Sequence, residues 1–221
     1  MKLNVNIFET NISVLAVQGP KSFQLMEKIF GKKISQLRFF KFDYFEHNNI
    51  KFLISRSGYS KQGGFEIHID NEEAGQKLYD HFFKVGKEFN LKPGAPNHPE
   101  RIEGGLLSYG NDMDIGDNPF ECGFDKYINL ESDILFLGKE NLIKIKEKGV
   151  KRKLMGVKID TKEINLIDTL PILNLDKKVI GDLRSAAYSP KFKKIVGIAM
   201  INKVFNNENQ KFMINLNSNY I

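Results

Sequence analysis

The stretch RSGYSKQGGFEIHID, Arg56 to Asp70, joins a glycine-rich turn to a segment that alternates between apolar and polar residues. Successive side chains of a β-strand point to opposite faces of the sheet. The alternation therefore predicts a strand with one apolar face, built from the phenylalanine and the two isoleucines of FEIHID. The opposite face carries a carboxylate and an imidazole, Glu66 and His68, directly after the turn.

The composition of the turn suggests that a ligand approaches the backbone closely, because Gly58, Gly63 and Gly64 lie next to this carboxylate. Glycine has no Cβ, so a flat ligand can come near the backbone. The carboxylate of Glu66 can accept two hydrogens side by side, which suits a heterocycle with an amino group beside a ring N–H. For a lone carboxylate, an ordinary exposed strand face is the alternative.

The segments around this stretch predict strands and helices in turn. Upstream, SVLAV is typical of a strand, KSFQLMEKIF has a helical apolar stripe that Gly31 ends, and FFKFDYFEHNNIKFLIS reads as two strands of a hairpin. Downstream, residues 72–89 place apolar side chains at helical spacing, with acidic residues at the start. We expect this helix to pack on the sheet.

A second downstream helix is predicted in HPERIEGGLLSYG. Its spacing places Ile102, Leu106 and Tyr109 on the inner side and Arg101 away from that stripe. The pair Gly104–Gly105 costs roughly 1 kcal/mol per glycine inside a helix relative to alanine. Its presence suggests that another backbone or a ligand comes close there.

The predicted secondary structure changes in the C-terminal part of the chain. LGKENLIKIKEKG predicts a last helix, and from Leu154 onward short strands and turns indicate an antiparallel β-barrel or sandwich. The predicted fold class is α+β: a mixed or antiparallel sheet with packed helices, followed by a C-terminal antiparallel β-barrel-like domain. The predicted domains are residues 1–150 and 151–221.

Composition narrows the class of protein. With 221 residues, 41% of them apolar, the chain can bury a core. The opening MKLNVNIF alternates like a strand, and no window has the roughly 18 apolar residues of a membrane helix. The expectation is a soluble cytoplasmic protein without a membrane partner.

Charge and cysteine content add further expectations. The net charge of +6 suits an anionic ligand, but the basic run KGVKRK lacks the aromatic ladder of a single-strand nucleic-acid site, so no nucleic-acid partner is predicted. The single cysteine, Cys122, excludes an internal disulfide and is expected to be a small buried residue. Four scattered histidines predict no metal site.

Three ordered motifs resemble the glycine-cleavage T-protein family of folate-dependent aminomethyltransferases. RSGYSKQGGFEI is similar to the family's RTGYTGEDGFEI, ERIEGGLLSYGNDMD to RLEAGLRLYGNDID, and NPFECGF to P-x-EAGL. One branch of the family is more similar still: the tetrahydrofolate-dependent dimethylsulfoniopropionate demethylases, which carry QGPKSF, SKQGG and NPFECGFD much as this chain does.

The resemblance implies roles for four residues. Glu66 would bind the pterin ring of the folate, Arg101 would help to hold the folate, and Tyr59 would line the same cavity. In the demethylase branch a tryptophan stands at Tyr59 and a tyrosine at His68, both near the sulfonium substrate, so this chain departs from the branch at both positions. His68 either holds the substrate carboxylate or is simply a solvated strand residue. No residue is assigned a catalytic acid–base role.

The implied function is a tetrahydrofolate-dependent methyltransferase that converts dimethylsulfoniopropionate to methylthiopropionate, with the methyl group passing to N5 of tetrahydrofolate. The alternatives are an aminomethyltransferase of glycine cleavage, and a non-catalytic folate-binding protein or inactive fragment. Family members carry about a domain's worth of residues before the segment that matches Met1. We therefore expect this chain to lack an N-terminal wall of the cavity, which a homodimer or an N-terminal partner chain would have to supply.

Overall fold

The computed structural model describes residues 4–216 and, for the backbone alone, residues 219 and 220. The chain forms two compact units, Met1–Pro96 and Asn97–Ile221. Residues 97–150 thus group with the C-terminal sheet, and the sequence-domain boundary near Lys151 stays a prediction. No helix in the described ranges has both the length and the apolar character needed to cross a membrane.

In the described part of the first unit, four antiparallel strands form one sheet in the order β1-β4-β3-β2. The strands are β1 (Ser13–Gln18), β2 (Phe42–His47), β3 (Ile50–Ser55) and β4 (Gly64–Ile69). The helices are α1 (Ser22–Phe30) and α2 (Glu72–Gly86). Each of these elements was predicted from the sequence, and the hairpin β2–β3 turns between His47 and Ile50.

The core of this unit lies between the helices and one face of the sheet. From β4 it takes Phe65 and Ile67, which are fully buried, while the apolar stripes of both helices cover them. Helix α2 begins where the side chain of Asn71 accepts a hydrogen bond from the amide of Ala74 at 2.9 Å. The strand-like alternation at the start of the chain forms no strand in residues 4–12, where every residue is exposed, and residues 1–3 lie outside the described residues.

The described residues of the second unit form a six-stranded antiparallel sheet in the order β10-β9-β6-β7-β8-β5. The strands are β5 (Arg152–Ile159), β6 (Leu170–Leu173), β7 (Val179–Ser189), β8 (Lys194–Asn202), β9 (Met213–Leu216) and β10 (Asn219–Tyr220). The helices are α3 (His98–Glu103) and α4 (Lys139–Lys148). The predicted α+β class with a C-terminal barrel-like domain is confirmed.

Helix α3 differs from its prediction. It ends at Glu103, because Gly105 has a φ of +62° and the amide of Leu106 donates back to the carbonyl of Arg101 at 2.8 Å. The glycine pair therefore ends the helix, and a Cβ at Gly105 would meet nothing within 4 Å. Tyr109, expected on the inner side, is 68% exposed. Arg101, expected away from it, is only 3% exposed.

Arg101 is buried because it pairs with a buried carboxylate. Its Nη1 lies 2.6 Å from Oδ2 of Asp112, and its Nη2 donates to the hydroxyl of Ser185 at 2.8 Å. Asp112 also accepts from that hydroxyl at 2.5 Å and from the amide of Ser108 at 2.7 Å. These bonds replace the water that the two charges lose on burial.

A second ion-pair cluster follows from a bulge in β7. The register with β8 shifts between Leu183 and Ser185, which turns Arg184 toward Asp117 with Nη1 and Oδ2 2.5 Å apart. Burial by itself raises the pKa of Asp117, but hydrogen bonds from Arg184 and the charges of Arg184 and Arg152 outweigh it and hold that pKa below its ordinary value. The bulge thereby ties the loop around Asp117 to the sheet.

Removal of Arg101 should destabilise the protein strongly, because Asp112 would remain buried without its cation. For Arg101→Met we expect a loss of about 3–5 kcal/mol in the free energy of unfolding, measured by urea denaturation. The matched control is Lys194→Met, which removes an exposed ion pair with Asp160. The side chain of Lys194 is 52% exposed and that of Asp160 is 95% exposed. The effect of this control should stay within about 1 kcal/mol. Equal small losses in both variants would contradict the structural role of Arg101.

The thiol of Cys122 should react slowly in the folded protein. Burial, followed by the negative charges of Asp117 and Glu121, raises its pKa to about 11. Because the thiolate is the reactive form, alkylation by iodoacetamide at pH 8 should be slow in the native chain and fast after unfolding in urea, as followed by mass spectrometry. Equally fast labelling of the native chain would contradict this burial.

Candidate functional site

The candidate site lies on the outer face of the first unit's sheet. Strand β4 pairs with β1 and β3 so that Glu66 stands opposite Ala16 on one side and Ser55 on the other. Since the helices cover the face that holds Phe65 and Ile67, Glu66 and His68 point away from the core, as the alternation predicted. Both side chains are half-buried.

Two serines connect Glu66 to His68. The hydroxyl of Ser57 donates to Oε2 of Glu66. The hydroxyl oxygens of Ser55 and Ser57 are 2.8 Å apart, and that of Ser55 lies 3.3 Å from Nε2 of His68. Sequence reasoning missed both serines. The signal was present, because Ser55 closes the strand that pairs with β4 and Ser57 follows it by two residues.

Gln18, at the end of β1, holds the turn before β4 in place. Its Nε2 donates to the carbonyls of Ser57 at 3.0 Å and Phe65 at 3.2 Å, while its Oε1 accepts from the hydroxyl of Ser60 at 2.8 Å. One side chain thus binds both ends of the glycine-rich turn. The position of Ser57, and through it the orientation of Glu66, depends on this anchor.

The glycines of the turn were predicted to let a ligand approach the backbone, but two of them make room for other parts of the chain. At Gly58, where φ is +155°, a Cβ would lie 2.1 Å from Oε1 of Gln18, and at Gly64, where φ is +151°, it would lie 2.4 Å from the carbonyl oxygen of Val17. The close approach is therefore made by the chain itself and not by a ligand at these two glycines. Gly63, with a φ of +78°, would meet Phe23 at 3.8 Å, an ordinary contact.

Exposed apolar side chains surround the polar centre. The register places Val14 opposite His68, Phe42 opposite Ser55 and Tyr44 opposite Leu53, so all of them share the outer face of the sheet. Val14, Phe42 and Tyr44 are exposed. A carboxylate within an apolar rim suits a flat ring that presents two neighbouring donors at its edge.

Tyr59 and Arg101 complete the set of predicted site residues. Tyr59 lies in the turn beside Gly58 and is 38% exposed, and its place beside a ligand stays a prediction. Arg101 belongs to the second unit, where its Nε donates to Nδ1 of His98 at 3.2 Å in addition to the bonds with Asp112 and Ser185. Its role in holding a folate likewise stays a prediction.

No group of three or more histidine, cysteine, aspartate or glutamate side chains within the described residues could hold a metal ion. Strand β4 offers instead a carboxylate that is held by a hydrogen bond and an imidazole that is linked to it through two serine hydroxyls. Such a pair can bind and orient a polar heterocycle.

Comparison with known families gives two matches that together cover most of the chain. Residues 2–132 match the model of the GCVT N-terminal domain. Residues 152–220 match the model of the glycine cleavage T-protein C-terminal barrel domain.

Among curated proteins, the dimethylsulfoniopropionate demethylase DmdA of Ruegeria pomeroyi is 38% identical over 200 residues, which are 90% of this chain and 54% of that protein. An aminomethyltransferase of Thermoanaerobacter pseudethanolicus is 34% identical over 215 residues, 92% of this chain and 55% of that protein. The chain thus spans about half the length of the curated relatives it matches.

Among solved structures, the glycine cleavage system aminomethyltransferase T of Bartonella henselae superimposes with a TM-score of 0.83. The match covers 95% of this chain and 57% of that one, at 22% sequence identity, so it shows a shared fold. Together with the family models across both units, these matches establish that the chain belongs to the glycine-cleavage T-protein family.

Proposed function

We propose that the chain carries the folate-binding part of a tetrahydrofolate-dependent methyltransferase that demethylates dimethylsulfoniopropionate to methylthiopropionate. The T-protein family is a family of folate-dependent transferases. The observation that carries the finer proposal is the 38% identity to the Ruegeria demethylase over 90% of the chain. The residues SKQGG in the turn, where aminomethyltransferases carry TGEDG, support the same substrate class.

The residues on β4 fit a folate. A pterin ring presents an amino group beside a ring N–H, and a carboxylate accepts both hydrogens in a side-by-side arrangement. Glu66 offers such a carboxylate, half-buried and oriented by Ser57. The exposed apolar side chains Val14 and Phe42 on the same face offer surface for the ring.

In the proposed reaction the protein chiefly orients and shields the reactants. Tetrahydrofolate, when bound, supplies N5 as the nucleophile that accepts the methyl group. The carbon–sulfur bond breaks with its electron pair left on sulfur, so a sulfonium becomes a neutral thioether and one proton is released. Glu66 would set the ring in line with the methyl carbon, and Tyr59 and His68 would border the sulfonium. Orientation of this kind accounts for a large part of such rate enhancements.

Aminomethyl transfer in glycine cleavage is the second candidate. The Thermoanaerobacter aminomethyltransferase matches 92% of the chain at 34% identity, only slightly below the demethylase. The departures at Tyr59 and His68 from the demethylase pattern also favour a substrate other than dimethylsulfoniopropionate. The turn sequence SKQGG favours the methyltransferase, and the two candidates share the proposed folate site.

Loss of the Glu66 carboxylate should weaken folate binding. For Glu66→Ala we expect a loss of about 2–3 kcal/mol in tetrahydrofolate affinity, because two ring donors would lose a charged acceptor. Isothermal titration calorimetry measures it. The matched control is Glu46→Ala, which removes an exposed carboxylate from the same sheet face. Equal affinities for the wild type and Glu66→Ala would place the folate elsewhere.

Methyl transfer should depend on residues outside this stretch, since the relatives are about twice as long. We expect the chain alone to release methylthiopropionate at least about 100-fold more slowly than the same chain joined to the N-terminal portion of the Ruegeria demethylase, because an open cavity orients the methyl donor poorly. Gas chromatography of the product measures both rates. Similar rates would contradict the proposal that another segment completes the cavity.

The same pair of proteins separates the two candidate functions. If the joined protein binds tetrahydrofolate and transfers an aminomethyl group but leaves dimethylsulfoniopropionate unchanged, the aminomethyltransferase function holds and the demethylase function is wrong.

A further inference from the structure

The hydrogen bonds that link Glu66, Ser57, Ser55 and His68 are limited by the number of hydrogens that these side chains can donate. A carboxylate accepts hydrogen bonds and donates none, while each serine hydroxyl has one hydrogen to donate. Because Ser57 contacts Oε2 of Glu66 directly, the hydrogen of Ser57 must point to that carboxylate. The oxygen of Ser57 is then left as an acceptor.

The hydrogen of Ser55 follows from this. The two hydroxyl oxygens are 2.8 Å apart, the usual distance for a hydrogen bond between two hydroxyl groups. Since the hydrogen of Ser57 is directed to Glu66, Ser55 donates to Ser57. The other acceptor near Ser55, the carbonyl of Glu66, is farther away at 3.4 Å.

The tautomer of His68 is then determined as well. With its hydrogen directed to Ser57, Ser55 can only accept from Nε2 of His68, which lies 3.3 Å away. The same holds if Ser55 donates to the carbonyl of Glu66, because its single hydrogen is again used. In either arrangement Nε2 carries the hydrogen, and Nδ1, which has no hydrogen-bond partner among the described residues, is the acceptor of the neutral ring.

We propose that Ser55 and Ser57 are positioning residues, which orient the Glu66 carboxylate for its ligand and hold neutral His68 as the tautomer with hydrogen on Nε2. The part that concerns the ligand rests on the proposed folate-binding function, whereas the tautomer does not. A neutral His68 then presents an acceptor at Nδ1. This nitrogen can accept a hydrogen bond, and it can donate one to a substrate carboxylate only when the ring is an imidazolium.

The orientation of Glu66 has a measurable benefit. A glutamate side chain on a strand is otherwise free to change rotamers, and ordering it on binding lowers affinity. Ser57 holds the carboxylate before the ligand binds. Nε2 of Gln18 in turn donates to the backbone carbonyl of Ser57 at 3.0 Å. Loss of the Ser57 hydroxyl should therefore weaken binding while Glu66 itself is still present.

The tautomer is tested on the chain without any ligand. Long-range ¹H–¹⁵N correlation spectra at pH 8, with the His68 signals identified by their absence in His68→Gln, should show a protonated Nε2 and an unprotonated Nδ1. Ser55→Ala should shift the ring toward a mixture of tautomers, and Ser55→Thr, which keeps a hydroxyl, should retain the wild-type pattern. A hydrogen on Nδ1 in the wild type would overturn the proposal, even if Ser55→Ala failed to fold.

The positioning role is tested by calorimetry with tetrahydrofolate. Ser57→Ala should weaken affinity by about tenfold, Ser57→Thr should restore it, and Ser13→Ala, an exposed serine at the far end of β1, should have no effect. For a tetrahydrofolate with hydrogen in place of the 2-amino group, Ser57→Ala should weaken binding by less than threefold, because Glu66 then has one donor to meet. A merely structural role for Ser57 would lower both affinities equally.

The outcomes separate this proposal from the proposed function. If the wild type does not bind tetrahydrofolate, the proposed function and the ligand part of this inference fail together, while the NMR spectra still decide the tautomer. If the wild type binds it and Ser57→Ala binds equally well, the positioning role is wrong and the proposed function stands.

Discussion

Strand β4 pairs with a neighbour on each side and has helices on one face alone, and the chemistry available to the first unit depends on this arrangement. Burial of Phe65 and Ile67 against the helices forces Glu66 and His68 onto the outer face. A shift of one residue in register would exchange the two sets and bury a carboxylate. The hydrophobic core therefore fixes the site more firmly than any contact within the site does.

The residues proposed to contact the cofactor and the substrate lie on the outer face of the same strand, β4. Glu66, proposed to bind the ring, and His68, proposed to border the sulfonium, are joined by two serines through consecutive hydrogen bonds. A change at His68 therefore reaches the groups that orient Glu66. Under the proposed function, the residues of this face and of the turn that holds Tyr59 would set the substrate, while Glu66 would bind the folate.

The second unit shows that a family motif can be structural. ERIEGG and SYGND meet because Arg101 of the first motif pairs with Asp112 of the second, which is fully buried. Ser185 on β7 closes the group by contacting both charged side chains. A buried pair of this kind is intolerant of losing either partner, so these two motifs stabilise the fold in addition to any contact with a ligand.

The sequence by itself determined most of the elements, the α+β class and the family, because periodicity and turn residues act over a few neighbouring positions and the motifs occur in order along the chain. It also placed Glu66 and His68 on the polar face of β4. Tertiary structure alone decided that Arg101 is buried, since its partners Asp112 and Ser185 are 11 and 84 residues away in the chain. It likewise decided that Gln18 fills the space beside the glycines, because contacts between distant segments leave no periodic trace in the sequence.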